Sequence, residues 1–483
     1  MHMVRPVLLI ALAAPLSVTW AQTKNLWNGV AAGPYTVGFR FQHGIDATRN
    51  ITAGTRGTAL GIAVWYPAVK ARTARAPITQ LDYRLLEFSV APAGAALQAF
   101  IDAQAAMMVA WRHVGIVPMN VAQARASLEA DGRAIRDAAH APGRFPVVLV
   151  LGGAWYLSTT AEILASHGFV VAAPVRFTDV DNEVPALEFS GYVENAVRDG
   201  EWALAELGPD TSADTNNVSA LGHGGGGLQA LVLAMRSRAI RAVANIDAAN
   251  FSARTNPRQV ASYQPSLLRV PYLYIATAAT RGEADQFKDF EDMRFSRRVE
   301  VVLRNPELRH HDLSNAGRAV AAYLGIRGEA QDAILRDYAA VQAMLVRFLR
   351  GDAAVVETPD LVTVREAVEP APTLRVMLQS LDARRLIDAW QRDPEAPVFS
   401  EDSLQTIIST ALTRRQFAVA AQLARFALQL HRESVPIHEL AARAVDAAGD
   451  RPAARELARH CAELPLPNND WRARFAQASC KNF

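Results

Sequence analysis

Two cysteines, Cys461 and Cys480, are all that the 483 residues contain, so a disulfide-stapled scaffold is excluded and apolar cores must carry the fold. The two lie 19 residues apart near the C-terminus, where a bridge and a pair of free thiols stay equally open. No block of five like charges occurs and the formal net charge is only +2, so nothing advertises a nucleic-acid or anionic-membrane partner. Beyond the N-terminal segment no run approaches the ~18 apolar residues of a spanning helix, and no transmembrane anchor is expected. Glycine and proline, 28 and 25, are near average usage, which excludes fibrous repeats and wholesale disorder. What is present is the composition of folded domains: half the residues are hydrophobic and 20% are charged.

Residues 1–21 read as a secretory signal, with Arg5 in a short basic region, an apolar run from Val7 to Leu16, and small residues Thr19 and Ala21 before a cut at Gln22. A periplasmic or secreted product is therefore expected. From about 35 to 303, short β-branched runs alternate with helix-length segments: Tyr35–Phe41, Ala59–Trp65, Phe145–Leu151, Phe169–Ala173, Asn217–Leu221, Ala242–Asp247, Pro271–Ala276 and Val299–Leu303. That alternation predicts an α/β domain over 22–350 with a mostly parallel sheet covered on both faces. An Ala-, Met- and Leu-rich stretch at 80–140 interrupts it after the second strand. It reads as a helical insertion, either packed on the edge or forming a lid over an apolar site.

Pro359, Pro370 and Pro372 break the pattern after the helical run Ala330–Leu349, which predicts a linker with helices over 351–400 and an all-α region over 401–483. Arg415-x-Phe417-x-x-Ala420-x-x-x-Ala424 realigns 34 residues later with Gly449 through Ala454 and Ala458. That period, with small residues where two helices approach closely, resembles tetratricopeptide helix hairpins, which implies a protein partner.

The richest stretch for chemistry is Asn217-Val-Ser-Ala-Leu-Gly222-His223-Gly224-Gly225-Gly226-Gly227, an apolar strand running into a glycine-rich turn and an apolar helix. So many glycines answer a sterically starved turn. Gly222, His223, Gly226 and Gly227 match the Gly-His-Ser-x-Gly-Gly form of a nucleophile elbow, but Gly224 stands where the serine should be. The same residues satisfy Gly-x-Gly-x-x-Gly with Asp247 twenty residues beyond Gly227, which a nicotinamide-dependent enzyme would also require. A dinucleotide turn belongs in the first βα unit, however, and here earlier strands and long connections precede it.

From about 33 to 350 the chain resembles the secreted α/β-hydrolases grouped around platelet-activating-factor acetylhydrolases, dienelactone hydrolases and cutinases. The likeness rests on Gly33-Pro-Tyr-x-Val-Gly38, Ala63-Val-Trp-Tyr-Pro67, Gly143-Arg-Phe-Pro-Val-Val148 and Leu164-Ala-Ser-His-Gly-Phe-Val-Val171, together with the elbow. The resemblance implies an oxyanion hole from the backbone N–H groups of Ala154, in Gly152-Gly153-Ala154-Trp155, and of Gly225. It implies Asp247 as the triad acid, with Asp285 or Glu283 in reserve, and His310 of His310-His311-Asp312-Leu313-Ser314 as the base. Neighbouring imidazoles such as His310 and His311 rarely point to one ion, so no metal is expected, and no cofactor.

Scaffold, acid and base thus look like those of a carboxylic-ester hydrolase while the nucleophile is missing. The expectation is a protein with little or no serine-esterase activity that works by binding, with an ester or lipid-like small molecule in its pocket and a protein partner on its helical repeats. The alternative is an active esterase that uses His310-activated water or a displaced serine, Ser219 or Ser158.

Overall fold

The structure, a computed structural model, describes residues 26–483 apart from 50–56, 71–74, 111–118, 179–188, 249–256, 283–287, 294, 316, 318, 326–328, 353–360, 368–372 and 467–469. The expected signal segment 1–21 and the reserve acids Glu283 and Asp285 lie outside the described residues.

Ten strands form one sheet: β1 (Thr36–Asp46), β2 (Thr58–Ala68), β3 (Ala134–Arg136), β4 (Phe145–Leu151), β5 (Val170–Arg176), β6 (Ala213–His223), β7 (Ile240–Ile246), β8 (Tyr272–Thr277), β9 (Arg298–Leu303) and β10 (Val362–Ala367). Their spatial order is β10-β9-β8-β7-β6-β4-β5-β2-β1-β3. β1 and β2 form an antiparallel ribbon, β2 joins β5 antiparallel, and β5, β4, β6, β7, β8 and β9 run parallel. The parallel strands are near-continuous apolar runs such as Phe-Pro-Val-Val-Leu-Val-Leu in β4 because helices cover both of their faces.

The insertion supplies α1 (Gln80–Leu85), α2 (Gly94–Ala110) and α3 (Val121–Leu128). With α4 (Ser158–Ser166) it packs on one side of the sheet, while α5 (Phe189–Leu207) and α6 (Gly225–Arg236) close the other. After β8 come α7 (Ala278–Gly282), α8 (Lys288–Asp292), α9 (Ala319–Tyr323) and the long α10 (Glu329–Arg350), which returns to the side of α4.

Two expectations need correction. The insertion is not helical throughout, because the segment expected to continue as helix to residue 139 ends at Leu128 and turns into β3, parallel to β1. That turn requires Gly132, where a Cβ would lie 2.2 Å from Glu162 Oε1. The boundary near 350 also moves. Val362–Ala367, expected to be linker, pairs antiparallel with β9 and extends the sheet, and its flanking prolines had hidden a short alternating strand.

Beyond it the described residues are helical: α11 (Leu374–Ser380), α12 (Ala383–Arg392), α13 (Glu401–Thr413), α14 (Phe417–Leu430), α15 (Val435–Ala447), α16 (Arg451–Glu463) and α17 (Trp471–Lys481). The period of 34 is carried by the backbone as well as by the alanines. Ser400 and Ser434 each cap a helix through their hydroxyls, and Leu381, Arg415 and Gly449 each turn with a positive φ between two helices. The turn at Leu381 opens an earlier hairpin, α11 and α12, that the alanine pattern did not reveal. Leu386, Ile407, Leu423 and Ala441 lie in the tail's own core.

Cys461 and Cys480 are bridged and tie α16 to α17. Unreduced protein should therefore offer no thiol to an alkylating agent. Replacing both cysteines by serine should lower the tail's stability by about 3 kcal/mol, read from urea melts of the helical signal. Alkylation of both cysteines without reduction would contradict the bridge.

Candidate active site

The candidate site lies where the parallel strands end, at the sheet edge that open α/β folds use for ligands. β4, β6 and β7 are neighbours, with Leu151 beside Gly222 and His223 beside Ile246, so the turns that follow them converge. Four of the glycines there are fixed by geometry. A Cβ on Gly222 would stand 2.2 Å from Gly226 O, one on Gly226 2.2 Å from Leu151 O, and one on Gly227 2.4 Å from the Ala248 Cβ. Gly152, with φ +94, would place a Cβ 2.7 Å from Gly226 Cα. The turn after β4 therefore lies directly on the first turn of α6, which brings Ala154 and Gly225 to the same corner.

Gly224 is the hinge of this corner. It has φ 55 and ψ −126, a sparsely populated combination, between the end of β6 and the start of α6. A Cβ built there would stand 2.9 Å from His310 Nε2 and 3.1 Å from its Cε1. The structure thus brings together the elbow position and the expected base. The imidazole sits further in than a serine side chain would allow.

His310 opens a short 3-10 turn after β9, and its Nδ1–H donates to Asp247 Oδ2 at 2.8 Å. That bond fixes the tautomer of the neutral ring and leaves the Nε2 lone pair turned toward Gly224. Asp247 follows β7 with φ 47, an unusual conformation for a non-glycine residue, and is buried. Its carboxylate also accepts the Thr277 N–H at 2.7 Å and the Thr280 hydroxyl at 2.8 Å. Burial alone would push this carboxyl up, but His310 and the two threonines hold it below the usual carboxylate range. Asp247 is therefore ionised at neutral pH and can orient the imidazole and stabilise its cation.

His223, beside the elbow glycine, was legible as part of the motif but not as a partner. Its Nε2–H donates to the His310 carbonyl at 3.0 Å, and the two rings lie 4.3 Å apart. Burial, reinforced by repulsion from His310 when that ring is protonated, brings its pKa down to about 3; His311, for the same two reasons, falls to about 4. Both are neutral imidazoles near pH 7. Asn315 was missed by sequence reasoning. Its side-chain amide donates to Trp155 O at 2.8 Å and Gln80 Oε1 at 3.0 Å, joining the His310 loop, the turn after β4 and the insertion. No local motif encodes such a long-range bond.

The two serines weighed as replacement nucleophiles are placed elsewhere: Ser158 is buried at the start of α4 and bonds to Asn315, and Ser219 is buried within β6. The glycine run is packed against the protein's own backbone, and a Cβ at Gly224 would meet His310. Among the described residues no group of three or more His, Cys, Asp or Glu is placed to hold a metal ion, and no helix is long and apolar enough to cross a membrane.

No protein-family model matches the sequence, and no curated protein does. Among solved structures the chain is similar to a ferulic acid esterase from Streptomyces cinnamoneus, with 18% identity over 68% of this chain and 95% of that one and a TM-score of 0.46. That likeness is too remote to bear on residues or reaction.

The two neutral histidines make the fold acid-sensitive. Both titrate near 6.5 when unfolded and near 3 to 4 when folded, so below pH 6.5 the unfolded chain binds the extra protons and stability falls with pH. Each depressed histidine steepens the loss by up to about 1.4 kcal/mol per pH unit. Urea melts between pH 6.5 and 4.5 should show a shallower slope for His223→Gln than for wild type; parallel slopes would mean that His223 titrates normally in the fold.

Proposed function

We propose that the chain is an exported α/β-hydrolase-fold protein, related to carboxylic-ester hydrolases, that lacks serine-esterase activity and acts by binding. One observation carries this reading: an elbow glycine in the strained conformation of a nucleophile, with Asp247 and His310 hydrogen-bonded in line and, among the described residues, only His310 within 4 Å of the Gly224 Cβ position. The sheet order supports the hydrolase relationship, as does the chain order elbow, Asp247, His310. In this reading Ala154 and Gly225 keep the oxyanion position, where their N–H groups can hold a ligand's carbonyl oxygen without any covalent step. The helical hairpins of period 34 belong to a tetratricopeptide-like region that takes a protein partner.

A second reading, hydrolysis by water activated at His310, is favoured by the intact Asp247–His310 bond. It asks Nε2 to take a proton from water attacking an ester carbonyl and, as the acyl C–O bond breaks, to return it to the departing alkoxide, with Asp247 stabilising the imidazolium in between.

The two readings part in one assay. Wild-type protein should show no p-nitrophenyl acetate turnover above buffer and no labelling by a fluorophosphonate. Turnover by wild type that disappears in His310→Ala would establish the second reading. Gly224→Ser should acquire turnover that depends on His310, provided the imidazole retreats from its position 2.9 Å from the new Cβ. The variant should also lose about 1–3 kcal/mol of stability, because a non-glycine residue must adopt φ 55.

A further inference from the structure

The helix α17 breaks the packing pattern of the tail. It lies against α15 and α16 and buries Ala473, Ala476, Gln477 and Cys480. A terminal element of a stacked array has no neighbour over its outer face, so that face should be polar. Instead Trp471 is 71% exposed and Phe475 75%. Two large rings one helical turn apart, left together in water, mark an interaction surface.

The spacing of this face is that of a coiled-coil seam. Trp471, Phe475 and Ala478, continued by Asn482 at the helix end, follow one another at steps of four, three and four residues. In that register Arg474 and Lys481 border the seam on one side and Arg472 on the other. All three are exposed, and no acidic side chain occurs from Trp471 to Phe483. Arg472 lies over the Trp471 ring at 5.8 Å and reaches Asp402 at 3.5 Å. Arg474 and Lys481 pair with no carboxylate among the described residues. The carboxyls that touch α17 are engaged with it: Asp470 caps its first turn, and Glu439 accepts from the Ser479 hydroxyl.

Spacing and charge together select the occupant. A second copy of α17 would set cations against cations on both flanks of the seam. A lipid surface gains from large apolar side chains along the whole face, and Ala478 and Asn482 supply none. A helix fits, because its own large side chains can enter the spaces over Ala478 and Asn482, and carboxylates on its flanks would meet Arg474 and Lys481.

We infer that the outward face of α17 docks an acidic amphipathic helix of another protein, with Trp471 and Phe475 as apolar anchors and Arg474 and Lys481 as charge partners. The inference rests on the partner-binding part of the proposed function and gives that part a surface and a partner chemistry.

Two fluorescein-labelled peptides of three heptads test it by anisotropy against the full chain. Both carry leucine at the seam positions; one has glutamate at the flanking positions and the other lysine. The acidic peptide should bind at least ten-fold more tightly than the basic one, and its affinity should fall as salt rises. Trp471→Ala and Phe475→Ala, both at exposed positions, should each weaken it at least five-fold with circular dichroism unchanged. Arg474→Glu combined with Lys481→Glu should reverse the preference between the peptides, which a loss of folding cannot do. No binding, equal binding of the two peptides, undiminished binding by the aromatic variants or an unchanged preference in the charge-reversed chain would overturn the inference. So would a wild-type dimer that Phe475→Ala dissociates, or flotation with phosphatidylglycerol vesicles that Phe475→Ala abolishes, since these assign the face to a second copy or to lipid. Each of those results leaves the wider reading standing, because a partner can use another face of the repeats. That reading fails on a different measurement, if protein isolated from its own host carries no second protein in native mass spectrometry.

Discussion

The contact between the turn after β4 and the first turn of α6 is the constraint on which the rest of the site depends. Gly152, Gly222, Gly226 and Gly227 let three backbone segments approach within distances that any Cβ would forbid. A methyl group at one of them would push α6 off the sheet and displace Gly224, and with it the relation of Gly224 to His310. The glycine run is therefore explained by packing before any chemistry is invoked. Only Gly224 is explained by its own dihedral angles, and Gly225, whose Cβ would meet open space, is required by neither.

On that frame sits a polar pair whose energetics run against burial. Asp247 is taken out of water and kept ionised by three donors, and His310, partly exposed, spans from it to the elbow. An ionised carboxylate in this position is costly unless its partners stay in place, since removing one partner of a buried charge commonly costs ~3–5 kcal/mol. The pair can therefore persist for structural reasons in a chain with glycine at position 224. His223 adds to this, because it donates to the His310 carbonyl and fixes the backbone from which the imidazole projects.

Much of this was legible in the sequence. All eight expected strands form, because apolar β-branched runs bounded by glycine and charge have few other uses in a chain of this composition. β3 and β10 were not legible. Three residues of β3 and a proline-flanked β10 gain their strand character only from the neighbours they pair with. The elbow, Asp247 and His310 were read from spacing and resemblance, and they do converge. What spacing could not convey was that the imidazole stands within 2.9 Å of the elbow's Cβ position, or that Asn315 bridges the His310 loop and the insertion. In the tail, alanines 34 residues apart marked two hairpins. The earlier one, turning at Leu381, has no such alanines and shows only in its backbone.

The insertion's role follows from one buried carboxyl. Glu162, on α4, accepts from Trp27 Nε1 and Tyr83 Oη at 2.7 Å, from Arg133 N at 2.9 Å and from Ala134 N at 3.4 Å. These donors come from the segment before β1, from α1, and from the approach to β3, so one side chain ties both ends of the insertion to the sheet's helical cover. Burial raises the Glu162 carboxyl against those four bonds, and it drives the Tyr83 hydroxyl well above its ordinary range. Tyr83 is thus held in place from both sides, since it also accepts from Trp65 Nε1 at 2.9 Å, and no proton can be drawn from it near neutral pH. A lid would need its hinges free. Here α1 is anchored, and α2 buries Ala105 and Met108, pairs Asp102 with Arg125 and accepts from Arg84 through Gln104. Tyr83 is accordingly a fixed anchor of the insertion rather than a source of acid–base chemistry.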